Sequence, residues 1–214
     1  MNRRGLPLRF HLMIIAIVAF IFPVVIAGTV LYVQIAQQLE QNIEQNLSEQ
    51  AELITLMVKQ DYSEAQNKAT GASNGKEYYY QIYKSNLMEY FQKVDIGENG
   101  YVFILDSNGS YVLSQDRLRD GENIMDAQDE NGRHFITEMV QQAQKLRSGE
   151  TGTIRYPWRN SAAEPLQEKM AVYTYFEPWD WVIGVSAVMA DFRSSSGFIR
   201  NLTMVIGAAF ILIA

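Results

Sequence analysis

Residues 12–33, LMIIAIVAFIFPVVIAGTVLYV, are 22 consecutive residues without a charge. A bilayer's hydrocarbon core needs about 20 apolar residues at helical rise. The run is therefore expected to be a transmembrane helix, in which Pro23 and Gly28 are tolerated. A secretory signal has a shorter apolar core, about 7–15 residues, and a small-residue cleavage site. This run is longer and flows straight into a helical pattern, so it is read as a retained span. Arg3, Arg4 and Arg9 precede it, and positive charge stays cytoplasmic. Residues 1–11 are then expected to be a cytoplasmic N-terminus, with the chain beyond about residue 35 on the other side of the membrane. At the other end, residues 198–214 become uninterruptedly apolar after Asn201. They read as the truncated start of a second transmembrane helix, and the chain as the front part of a longer protein.

Charge and composition narrow the function of what lies between. All 24 acidic residues fall between Glu40 and Asp191, and within 34–197 only 14 basic residues oppose them, a net charge of −10. Nucleic acid selects a basic face, so it is not an expected partner. With no cysteine, neither disulfides nor thiolate metal sites are available. The two histidines, His11 and His134, have no serine or carboxylate at catalytic spacing, and no phosphate-binding glycine pattern occurs. An enzyme is not expected, nor a cofactor. A calcium loop centred on Gly132 would have Asp129, Asn131 and Glu138 in place but Ala127 at its first position, which supplies no side-chain oxygen. That stretch reads as a turn into a helix.

Residues 34–97 divide into a stalk and a second helix. Ile35, Leu39, Ile43, Leu47, Ala51, Ile54 and Val58 recur every three or four residues, which predicts an amphipathic helix to about Ala69. Its stripe must face either the domain or a second copy of the chain, and a homodimer through this stalk is expected. Residues 68–76, KATGASNGK, are a break. A helix over about 76–93 follows, with Tyr79, Tyr83, Leu87, Tyr90 and Phe91 on one side.

From residue 98 the period changes to two. ENGYVFILDSNGSYVL predicts a hairpin of two strands around DSNG. Residues 115–130 read as a polar loop, followed by a helix of about 15 residues carrying Phe135, Met139 and Ala143 and stopped by Gly149. Strands are predicted over 151–158, 168–176 and 181–188. The first two of these place Tyr156, Trp158, Lys169 and Tyr173 on adjacent strands. An ammonium among aromatic rings suits a small anion, pairing a carboxylate while the rings enclose an apolar tail; equally, these residues read as a surface lysine beside core aromatics.

The stretch 99–191 resembles a single Cache domain of the second subtype, the extracytoplasmic sensor of bacterial chemoreceptors and sensor kinases. NGYVFILDSNG is similar to that family's first hairpin, and GENIMDAQDENGRHFITEMV to its link into the crossover helix. Tyr156-Pro157-Trp158 falls where the family has Tyr-x-Trp, Lys169 matches its lysine, and Pro178, Trp179, Trp181 and Gly184 match the closing strand. The resemblance implies an α+β, PAS-like fold over 98–192: a five-stranded antiparallel sheet, a long N-terminal helix on one face and a ligand pocket on the other. It implies Tyr156, Trp158 and Lys169 as pocket residues, with Tyr101, Phe103 and Phe135 as lining, and a small organic ligand, a carboxylate or amino acid. The chain departs from the family at Ser114-Gln115, where many members have His-Pro. It departs again at Val172, where Tyr is common and Tyr173 is next door on the opposite face, and at Val185 to Val188. Ser114-Gln115 is where its ligand is expected to differ. The leading function is the sensing region of a methyl-accepting chemotaxis protein. The alternatives are the input domain of a sensor histidine kinase or diguanylate cyclase, or a ligand-free tethered interaction domain.

Overall fold

The computed structural model describes residues 8–69, 75–97, 99–159 and 165–194, with the side chains of 8, 11–18, 20, 21, 24, 193 and 194 outside that set. The expected second apolar segment, 198–214, also lies outside it. The chain divides into two units, Met1–Gln41 with Ser196–Ala214, and Asn42–Ser195. In the first, helix α1 (Leu8–Ala69) runs unbroken through the apolar segment and past Pro23, exposing Phe22, Val25, Ile26, Val30, Leu31, Tyr32 and Val33. Among the described residues, no helix is long and apolar enough to cross a membrane.

The second unit is built on a sheet of β1 (Tyr101–Leu105), β2 (Tyr111–Leu113), β3 (Gly152–Trp158), β4 (Gln167–Phe176) and β5 (Trp181–Val188). The order is β2-β1-β5-β4-β3, and every neighbouring pair is antiparallel. The strand predictions hold to within a residue or two. The hairpin turns on Asp106, whose Oδ1 accepts from the N–H groups of Asn108 and Ser110, and on Gly109 at φ +77°, a conformation open to glycine. After β2 the chain folds back along that edge strand: Tyr111 N–H donates to the Glu122 carbonyl and Gly121 N–H to the Tyr111 carbonyl. This covers an otherwise open sheet edge.

Side chains alternate between two faces. On one, Val102, Ile104, Met170, Val172, Ile183, Val185 and Ala187 are buried. The rest of α1 and α2 (Gly75–Phe91) dock there. Glu44 accepts from Thr153, Ser48 bonds Thr151, Tyr62 packs edge-on to Phe176, and Lys84 lies over Trp179 and Trp181. Of the predicted stripe, Ile43, Leu47, Ala51, Ile54 and Val58 are buried, so that part belongs to the domain, whereas Ile35 and Leu39 are half-exposed. Leu87 and Phe91 of α2 are buried as expected, but Tyr90, a third of a turn away, is exposed.

The other face carries α3 (Phe135–Ala143), nine residues where about 15 were expected. Asp129 competes with the helix for its first turn: its Oδ1 accepts from the N–H groups of Asn131 and Arg133, and Gly132 sits at φ +78°. Such a local side-chain turn offers the backbone an alternative to helix. At the far end the chain closes into turns after Ala143, well before Gly149. Phe135, Ile136, Met139, Val140 and Ala143 pack onto Phe103, Leu105, Ile154, Tyr156, Ala171, Tyr173 and Val182. The helix α4 (Met189–Ser194) follows β5 directly.

Candidate functional site

The α3 face of the sheet gathers all six residues that the sequence singles out. Antiparallel register sets Tyr156 opposite Lys169, Lys169 opposite Val188, Tyr101 opposite Ser186 and Phe103 opposite Gly184. Directly opposed residues share a face. Phe135, at the start of α3, stacks on Tyr156 with ring centroids 5.1 Å apart, and Trp158 meets both rings edge-on at 6.1 and 6.4 Å. The Lys169 ammonium lies 4.4 Å from the Tyr101 ring centroid, and Tyr101 packs edge-on to Phe103. Tyr173 is opposite in facing to Val172, which puts it on the side of Lys169, where its hydroxyl donates to Gln142 Oε1 at 2.6 Å.

Depth separates these residues. A cleft of about 730 Å³ opens against Phe135 and Trp158, and is completed by Arg119, Glu122, Asp126 and Arg159 among others. Tyr156 borders a smaller cleft of about 320 Å³ beyond Pro157, with Arg133, Arg155 and Glu168. Lys169 is 1% exposed and Phe103 3%, so the lysine is a buried cation held against an aromatic ring and not the surface residue of the alternative reading. Burial pushes the Tyr101 phenol well above its ordinary value, with Tyr156 and Tyr111 adding to it. Burial likewise raises Tyr156 and pushes Tyr111 up to about 12. Around neutral pH all three phenols stay protonated, able to donate a hydrogen bond to an anion.

The loop between β2 and α3 supplies a residue that the sequence reading passed over. Ser114 donates to Asp120 Oδ1 through both its N–H and its hydroxyl, at 2.8 Å each, and its Oγ accepts from the Arg119 N–H. Arg117 donates to the other Asp120 oxygen. Asp116 and Arg117 both take positive φ, 51° and 60°, conformations that cost free energy in residues with a Cβ. This organisation carries the Arg119 guanidinium to 5.0 Å from the Trp158 ring centroid and 5.8 Å from that of Tyr111. Ser114, expected to mark a change of ligand contact, thus acts here by shaping the loop. The available signal was Arg119 three residues before Glu122 in a segment otherwise read only as polar.

Burial raises the Asp120 carboxyl, but hydrogen bonds from Arg117 and Ser114 outweigh it and hold the group below its ordinary 3.8. A carboxyl depressed in the folded state contributes stability above its unfolded pKa and loses it as pH falls through the folded value. Backbone hydrogen exchange over 114–122, corrected for intrinsic rate, should therefore show the loop protected at about pH 5 and above and loosened below about pH 4. Asp120→Asn should remove that acid step. An unchanged protection profile down to pH 3 would show that Asp120 does not hold the loop.

Comparison with known proteins places this arrangement. Residues 77–201 match the Cache 3/Cache 2 fusion domain. The chain belongs to that family. The fold agrees with a solved Cache chemosensory domain, described for its carboxylic acid recognition, at TM-score 0.52 and 19% identity over 70% of this chain and 97% of that one. A methyl-accepting chemotaxis protein from Vibrio parahaemolyticus RIMD 2210633 is similar at TM-score 0.48 and 20% identity, covering 72% of this chain and 99% of that one. In sequence, the sensor histidine kinase MctS of Rhizobium johnstonii is 24% identical over 133 residues, 61% of this chain and 28% of the kinase. The chain thus spans under a third of that relative's length. Cache domains serve as sensor modules of chemoreceptors and histidine kinases, and the α+β, PAS-like architecture expected from sequence is the one found here.

Proposed function

We propose that this Cache domain is the extracytoplasmic small-molecule sensor of a transmembrane signalling receptor, with the cleft beside Trp158 as its ligand site. The observation that carries this is the co-location, on one face of the sheet, of an open cleft, a stacked aromatic wall and cationic groups. A ligand there favours one of two arrangements only through unequal affinity for them. The membrane anchor is residues 12–33, supported by their length, their continuous helix and the arginines before them. The dimer contact uses the outer side of α1, where Leu53 and Leu56 are 62% and 61% exposed.

A chemotaxis receptor is the leading output, in keeping with the chemosensory Cache domains. A histidine kinase is the second, favoured by the kinase relative. Phosphorylation of the membrane-embedded protein from ATP would select the kinase. For the sensor itself, titration calorimetry of the full chain in detergent against short carboxylates and amino acids should give saturable heat for at least one of them. Folded protein that gives no heat with any would count against a direct small-molecule sensor.

A further inference from the structure

Arg119 has the features of a recognition residue already holding a partner. Its Nε and Nη2 donate to the two carboxylate oxygens of Glu122, each at 2.6 Å. Its backbone is pinned by Ser114 and its guanidinium covers Trp158. Those two bonds occupy two of the five guanidinium N–H donors. The arginine side chain is 27% exposed and the glutamate 48%. A guanidinium fork laid on an indole suits a planar carboxylate, whereas a partly exposed ion pair three residues apart contributes little to stability. Glu122 is therefore cheap to displace: an incoming carboxylate replaces one ion pair by an equivalent one, and Glu122 regains water.

We infer that Arg119 is the carboxylate-recognising residue of the cleft and that Glu122 is its resident competitor, released when a small carboxylate seats against Trp158. This rests on the cleft being the sensor's ligand site. The other charged groups of the lining narrow the ligand class. Asp126, Asp129 and Glu130 outnumber Arg159 among them, so a ligand with one carboxylate and an amine meets a lining of net negative charge that favours the amine, and a second carboxylate is disfavoured. The site accordingly takes short amino acids ahead of monocarboxylates, and both ahead of dicarboxylates. Lys169, buried on Tyr101, is not the group that first meets the anion.

The test is calorimetry on the full chain in detergent with glycine, L-alanine, acetate, propionate and succinate as probes, each variant being checked for folding by its Tm. Glu122→Gln should bind the tightest probe on the order of tenfold more tightly than wild type, because a neutral amide competes poorly for the guanidinium. Arg119→Gln should lose binding. Arg119→Lys, which keeps the charge but not the fork, should weaken it, and this variant decides the matter should Arg119→Gln fail to fold. Unchanged affinity in Glu122→Gln or in the arginine variants, with wild type still binding, would overturn the assignment while leaving the sensor reading intact. Silence from wild type and Glu122→Gln alike, both folded, would overturn both.

Discussion

Gly184→Val is expected to lower the melting temperature of the domain by roughly 6–12 °C. Gly184 lies in β5, opposite Phe103 of β1, and the Phe103 ring occupies the space where a Cβ would go, with three ring carbons in overlap. Phe103 is 3% exposed within the core and has no solvent to retreat into. Overpacking of this kind costs about 1–3 kcal/mol and occasionally more. Valine's two further methyl groups on a central strand put this case at the upper end, despite valine's own preference for strands. At about 3 kcal/mol the Tm of a chain of this size falls by roughly 6–12 °C. Differential scanning calorimetry reads it directly, and Phe103→Leu in the same chain should recover part of the loss. A variant melting with wild type would mean that the ring moves aside freely.

The second large effect is at Lys169. Its side chain is among the most completely buried of the domain, and its ammonium rests on the Tyr101 ring. Truncation to alanine removes the packed stem, leaves a cavity and uncovers the ring face. Core truncations of this size cost about 2–4 kcal/mol, and a desolvated cation–π contact contributes about 2 kcal/mol of interaction before desolvation of the charge is set against it. Lys169→Met keeps the length and refills the volume, and is expected to lose less stability than Lys169→Ala. Chemical denaturation of both variants separates the contributions. Lys169→Ala within a few tenths of a kcal/mol of wild type would show that the lysine stem fills no necessary volume. A methionine variant as damaged as the alanine one would instead assign the stability to the charge.

These residues also show what could be read from the chain alone. The first hairpin was legible because its strands alternate in sequence and its turn carries Asp106 and Gly109, both local signals. The stripe on α1 was legible for the same reason, although periodicity does not say what covers it: burial of Ile43 through Val58 against the sheet is a tertiary outcome. The pairing of Tyr156 with Lys169 needed only two strands of known direction. Arg119 was not legible. Its position over Trp158 depends on a loop whose shape is fixed by Ser114 and Asp120, six residues apart, and on two residues in left-handed conformations that local propensity disfavours. The overlong α3 has another cause: the chain closes into turns after Ala143, short of the Gly149 stop that the pattern offered, whereas its start after the Asp129 turn was legible. The misjudgement at Arg119 falls on the loop that borders the cleft, where local rules yield to the demands of a site.

The junction between β5 and α4 has a mechanical meaning. Val188, the last residue of the strand, is the register partner of Lys169, and the helix begins with Met189. No hinge separates them. A strand ties its residues to fixed neighbours, whereas a helix turns each successive residue by about 100°, so the rotational phase of α4 is dictated by where β5 stops. Asn99 reaches across to Asp191 at 3.1 Å and holds that phase from the other side. The end of β5 and the departing helix thus form a single crank. One residue inserted between Val188 and Met189 would turn α4 by about 100° against the strand.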